Sequence, residues 1–242
     1  MAEWAARRFW TDVTVREADQ GYAIHLDAKP VRTPAGHPLV VPALAFADAV
    51  AAEWRAQDEA IDPTRMPMTR AANSALDKVA VERRAVIGLL GEYGGTDLVC
   101  YRAERPAELV AREAAAWDPM LDWARERFGA TLFVTSGIMP KAQSPGDLAR
   151  LARPMEEMDH FTLTGFHDLV TLTGSLVLAL AVGAARIDPA TGWRMSRIDE
   201  DWQAETWGID EEAAADADLK RRAFLDAHRV MTLAGTGAGF PA

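Results

Sequence analysis

Ser196-Arg197-Ile198-Asp199-Glu200-Asp201-Trp202-Gln203-Ala204-Glu205-Thr206-Trp207-Gly208 concentrates four carboxylates, two indoles and an amide in one short run. Clustered acids are raw material for general acid–base catalysis, but that chemistry needs a titratable pair held by an orienting third group. No nucleophile, metal-ligand pair or phosphate loop accompanies them here. Flat apolar area ringed by negative charge is how a surface for a basic, partly apolar protein patch is built. On a helix, Ile198 and Trp202 share a face with Glu205, and Trp207 closes the segment before Gly208. Asp199, Glu200 and Asp201 then fan over about 200°, so at least one of them must face solvent. The candidate partner-binding residues are Asp199, Glu200, Asp201, Trp202, Gln203 and Trp207, with Glu200 favoured to pair with a partner's Lys or Arg. The plainer alternative is an amphipathic surface helix with buried indoles and solvated acids.

Other constellations carry less. Glu157-Met158-Asp159-His160 has the Glu-x-x-His spacing of di-iron bundles, but that chemistry needs a second copy and two further Glu, and no second copy exists. No metal site is expected. His160 and His167, seven apart, fit satisfied structural histidines. Gly174-Ser175 lacks the Gly-x-Ser-x-Gly frame of a nucleophile elbow and is expected in mid-helix. Gly235-x-Gly237-x-Gly239 lies at the chain end without the strand and helix a dinucleotide loop requires, and its tail is expected to be loose. Cys100 sits in an apolar run with no adjacent base, which suits an inert buried thiol.

These residues must be positioned by a chain of 242 residues, 49% of them hydrophobic, enough for a sizeable core. A formal net charge of −10 argues against binding a nucleic-acid backbone. A single cysteine excludes a disulfide framework and suits a reducing compartment. Leu169 to Ala185 is uncharged but short for a membrane span and carries three hydroxyls, so a buried central helix is expected and no membrane insertion.

The predicted fold class is α+β, with a small antiparallel β-rich domain (1–62) ahead of a larger helical domain (63–242). Phe9, Val13 and Val15 are expected on one strand face, and Tyr22, Ile24 and Leu26 alternate in a second strand. Leu39-Val40-Val41 is a last short strand before Pro42. Leu44, Phe46, Val50 and Trp54 then mark a helix with Glu53, Arg55, Gln57 and Asp58 facing out, broken at Asp62-Pro63. Thr69–Tyr93 is expected as one or two helices. Leu98–Tyr101 reads as extended, with Leu132–Val134 as its pairing candidate. Pro106 at the first helical position opens a helix that Pro119 should kink or split. Ser144-Pro145-Gly146-Asp147 opens the next, Thr162 the apolar one, and two more helices follow the turn at Asp188–Gly192.

Several short segments recur in an order that resembles a known family. They are Arg8-Phe9-Trp10; Glu53-Trp54 to Gln57-Asp58; Met66-Pro67 to Asp77; Asp97 to Tyr101-Arg102-Ala103; Trp117-Asp118-Pro119; and Ser196–Glu200 to Gln203 and Trp207-Gly208. Together they resemble the assembly chaperones that act on the alpha subunit of the F-type ATP synthase. The resemblance implies a β-rich N-terminal domain, a helical C-terminal domain, and a role in holding the unassembled alpha subunit until the beta subunit replaces it. It implies no catalysis and no cofactor. The family's mitochondrial members carry a targeting presequence. Met1–Trp10 has neither an apolar core nor a long Arg/Ser-rich stretch, so a bacterial, cytoplasmic and monomeric member is expected. The reading from another class is a helical enzyme that uses the acidic cluster for general acid–base chemistry.

Overall fold

A four-stranded antiparallel sheet leads the chain: β1 (Val13–Ala18), β2 (Gly21–Leu26), β3 (Lys29–Pro30) and β4 (Val40–Val41). β2 is central, pairing with β1 along its whole length and with β3 and β4 on its other edge. The structure is a computed structural model describing residues 7–137 and 141–235. Helices α1 (Leu44–Arg55), α2 (Pro67–Ser74) and α3 (Ala80–Tyr93) follow, then α4 (Ala107–Phe128), α5 (Pro145–Glu157), α6 (His160–Thr173) and α7 (Leu176–Gly183). The chain continues with α8 (Pro189–Met195), α9 (Ile198–Trp207) and α10 (Glu211–Ala234). A two-stranded parallel pair, β5 (Tyr101–Arg102) and β6 (Thr135–Ser136), sits among the helices.

Two compact units result. One holds the chain up to Arg83, Asp159–Gly165 and the end of α10 from Arg229; the other holds Arg84–Met158 and Phe166–His228. The expected boundary at Asp62-Pro63 therefore falls inside the first unit. The sheet's apolar face explains this, because Ile24, Leu26 and Val41 share one core with Phe46 and Val50 of α1, Met68 and Ala72 of α2, Phe161, and Val230 and Ala234. Four short strands cannot cover that face alone.

The alternation in β2 holds: Ile24 and Leu26 are buried and Tyr22 packs against the same core. Phe9 does not join Val13. It precedes the strand and is 67% exposed, while Trp10 is the buried ring, with Phe9 edge-on at 5.2 Å. Glu53 and Gln57 do not simply face out either. Glu53 accepts hydrogen bonds from Met68 N (2.6 Å), Thr69 N (2.8 Å) and Thr69 Oγ1 (2.7 Å), which satisfies the first turn of α2. Gln57 is buried, donating to Glu53 O and accepting from Asp62 N.

Between α2 and α3 the backbone widens into a π turn, Ala75–Val79. Its Asp77 accepts from Thr33 Oγ1 (2.6 Å) and Ala35 N (3.0 Å) and meets His37 Nδ1 (3.1 Å), which pins the loop between β3 and β4. Those bonds hold the Asp77 carboxyl below the usual carboxylate range despite the opposing effect of burial.

In the helical unit, the uncharged run Leu169–Ala185 is two helices. Gly174 takes φ +67°, a left-handed conformation that ends α6, and Ser175 caps α7 by accepting from Leu178 N. Gly174-Ser175 is thus an interhelix break rather than mid-helix. The burial expectation holds for Leu176–Val182, every residue of which is buried, but not for the whole run: Thr171 and Leu172 are half-buried and Ala185 is exposed. No helix among the described residues is long and apolar enough to cross a membrane. Pro119 does not split α4, which runs unbroken through 22 residues. Pro106 is its cap rather than its first residue. Leu98–Cys100 is a 3₁₀ turn, and strand pairing begins one step later, at Tyr101 with Thr135. The turn expected at Asp188–Gly192 is itself the start of a short helix, α8, and the two expected helices, α9 and α10, follow it among the described residues.

Candidate partner-binding site

Helix α9 covers the predicted run, capped at Gly208 with φ +98°. It packs on α4, and three side chains of α4 decide its orientation. The Trp117 indole N–H donates to Met195 O at 2.8 Å, just before α9 begins. Arg112 makes a two-pronged bond to Glu205, both contacts at 2.9 Å, while its guanidinium lies 4.9 Å from the Trp202 ring. Glu113, fully buried, accepts from Ala103 N at 2.9 and 3.2 Å and is hydrogen-bonded to Asp199.

A hydrogen bond between two carboxyl groups requires a proton on one of them. Burial first, then Asp199, pushes Glu113 up to about 7, so below that pH the Glu113 carboxyl supplies the proton. The Asp199 Oδ1 is sealed from solvent and receives no backbone N–H, amide or hydroxyl donor.

The six predicted residues therefore separate. Asp199 turns inward and Trp202 lies under Arg112. Glu200 is exposed and pairs with Arg197 at 2.7 Å. Asp201 and Gln203 are exposed; nearby burial, with Glu205 adding to it, raises the Asp201 carboxyl. Trp207 is 79% exposed. Arg112 holds Glu205 below the usual carboxylate range. The strongly perturbed acid of this group, Glu113, is fully buried, so the carboxyl raised to about 7 does not face the exposed side of α9.

Arg112 and Glu113 escaped the sequence reading, though a signal for Glu113 existed. Leu109, Glu113, Trp117, Met120 and Ala124 form the buried stripe of α4, and a carboxylate on an apolar stripe demands a partner. Glu157 and His160 fall on different helices, α5 and α6, so the Glu-x-x-His spacing never shares a helical face. Among the described residues no cluster of His, Cys, Asp and Glu could hold a metal ion. Gly237 and Gly239 lie outside the described residues. Burial drives the Cys100 thiol up to about 12, which makes it inert.

The recurring segments interlock within each unit. In the sheet unit, Trp10 meets Trp54 at 5.2 Å and Arg8 donates to Gln57 O at 2.7 Å. In the helical unit, Arg102 donates to Asp118 at 2.8 Å and stacks 5.2 Å from Trp117. Asp97 accepts from Ser175 Oγ (2.5 Å), Val177 N (2.9 Å) and Val99 N (3.2 Å). Residues distant in sequence thus supply each other's buried partners.

The profile of the ATP12 chaperone protein family matches residues 7–125. The crystal structure of Atp12 from Paracoccus denitrificans is 49% identical, covers 96% of this chain and 100% of that one, and superposes with a TM-score of 0.92. The Atu1473 protein of Agrobacterium tumefaciens is 39% identical, with a TM-score of 0.90 over 94% of this chain and 85% of that one. The mitochondrial protein atp12 of Schizosaccharomyces pombe is 20% identical over 219 residues, 86% of this chain and 75% of its own. With nearly full-length identity of this order and the same arrangement of elements, the chain belongs to the ATP12 chaperone family.

Proposed function

We propose that the protein is an assembly chaperone of the F-type ATP synthase. It binds the unassembled alpha subunit and prevents its aggregation until the beta subunit replaces it. Membership of the ATP12 chaperone family supports the assembly role. The observation that carries recognition is helix α9, which keeps Glu200, Asp201, Gln203 and Trp207 in solvent while Arg112, Glu113 and Trp117 hold its inner face. A rigid helix that shows acids and an indole suits an apolar subunit edge bordered by basic residues. Covering such an edge blocks the self-association to which partly assembled species are prone. The protein acts as a monomer in the bacterial cytoplasm, a setting consistent with its structural relatives from Paracoccus and Agrobacterium.

The test uses purified alpha subunit warmed until it scatters light. An equimolar amount of the chaperone should suppress scattering, and added beta subunit should release the chaperone from the complex. Unchanged scattering, or a complex that beta does not dissociate, rejects the reading. Replacing Glu200 by Gln should leave folding intact and weaken capture at low salt more than at high salt.

A further inference from the structure

The acids first singled out in α9 are largely committed within the fold: Asp199 to Glu113, Glu205 to Arg112 and Glu200 to Arg197. The corner between α9 and α10 is not. Trp207 is 79% exposed and Ile209 76%, and every residue from Glu205 to Asp216 is exposed. Paired large apolar side chains in solvent oppose folding economy and mark contact sites.

Nor is the corner loose. Gly208 N donates to Ala204 O at 3.0 Å, closing α9, and Thr206 Oγ1 donates to Trp202 O at 2.8 Å. Asp210 accepts from Glu212 N (2.9 Å) and Ala213 N (3.1 Å), opening α10. Trp207 and Ile209 are therefore displayed on a preformed turn, so binding would order little that is not already ordered. Glu211 and Glu212 stand beside them, with no ion-pair partner among the described residues.

We infer that the α9–α10 corner is the anchoring element of the client interface: Trp207 and Ile209 enter an apolar cleft on the client, and Glu211 and Glu212 pair with lysine or arginine at its rim. This rests on the alpha-subunit reading above and adds the contact residues and the chemistry of the cleft. The charge selects the occupant. An apolar pair flanked by two exposed carboxylates of the first turn of α10, neither in an ion pair among the described residues, disfavours a second copy of this chain, whose net charge is −10, and favours a basic-rimmed surface. An exposed Trp at the centre of a patch is also the residue type that dominates binding energy.

The experiment measures affinity for purified, labelled alpha subunit by fluorescence anisotropy at low and high salt. The wild type is compared with Trp207→Ala, Ile209→Ser and the double variant Glu211→Lys/Glu212→Lys. The expected result is at least a tenfold loss for Trp207→Ala, a smaller loss for Ile209→Ser, and a loss with flattened salt dependence for the charge-reversed pair, all with unchanged melting temperatures. Wild type and all variants binding within twofold of one another would overturn the corner while leaving the alpha-subunit reading intact. Failure of the wild type to bind would overturn that reading, and the inference with it. Concentration-dependent dimerisation of the chain alone, abolished by Trp207→Ala, would assign the corner to a second copy and also overturn it. If Trp207→Ala lowers the melting temperature, Ile209→Ser and the charge pair decide alone.

Discussion

Glu113 of α4 and Asp199 of α9 meet carboxyl to carboxyl inside the helical unit, Glu113 fully buried and the Asp199 Oδ1 sealed from solvent, a contact that is a hydrogen bond only while Glu113 keeps its proton. The contact ties the start of α9 to the buried face of α4. Its strength depends on that proton.

Stability should therefore respond to pH in a defined direction. Glu113 is raised from 4.5 in the unfolded chain to about 7 in the fold, so its contribution is complete below about 4.5 and is lost as pH rises through about 7. Asp97, raised from 3.8 to about 6 by burial, acts in the same sense over a lower window. Glu113→Gln keeps the donor without the titration. Its stability relative to wild type should improve as urea unfolding is moved from about pH 5 to about pH 8. A pH-independent difference between the two proteins would show that no proton is shared.

Leu178→Asp should abolish folding of the helical unit. Leu178 is fully buried in α7, and a carboxylate there has no partner, a penalty of several kcal/mol at minimum. Loss of soluble protein or of the cooperative thermal transition is the expected reading. A retained melting temperature would require α7 to be exposed.

Trp54→Arg should destabilise the sheet unit by roughly 2–4 kcal/mol through the lost edge contact with Trp10 and the cost of burying a charge. Trp54→Phe, which keeps an aromatic edge, should cost less than half as much. Chemical denaturation of both variants gives the comparison. Normal stability of the arginine variant together with lost capture of the alpha subunit would place Trp54 at a binding surface instead.

Arg112→Ala should barely move the melting temperature, since an exposed ion pair is worth at most about 1 kcal/mol. It should nevertheless accelerate amide exchange along Ile198–Trp207, because Glu205 and Trp202 lose their common clamp. Arg112→Lys should restore little, as an ammonium cannot reproduce the two-pronged geometry. Exchange rates in α9 equal to wild type would show that Trp117 and Glu113 suffice.

Periodicity made β2, α1 and the apolar α6–α7 region legible, because side-chain burial repeats with the backbone. What stayed hidden depended on single polar side chains serving partners far away in sequence. Glu53 looked solvated because it falls off the apolar stripe of α1, and Gln57, just past the end of that helix, looked solvated by its polarity, yet the orphan N–H groups of α2 and the chain at Asp62 recruit them. The break at Gly174 was invisible to a hydropathy pattern that continues unchanged across it. The position of α9 was readable from its own residues, but the inward turn of Asp199 was not, because only the carboxylate on the stripe of α4 selects it.

Cys100 offers an internal clock for the helical unit. Its thiol is buried and held up at about 12, so alkylating reagents can reach it only through opening of the surrounding structure. Because the chain has one cysteine, labelling kinetics would follow that opening without interference from another native thiol. A second cysteine introduced at Gln203, which is exposed on α9, would label rapidly from the folded state, so this helix and the core could be timed separately in one molecule.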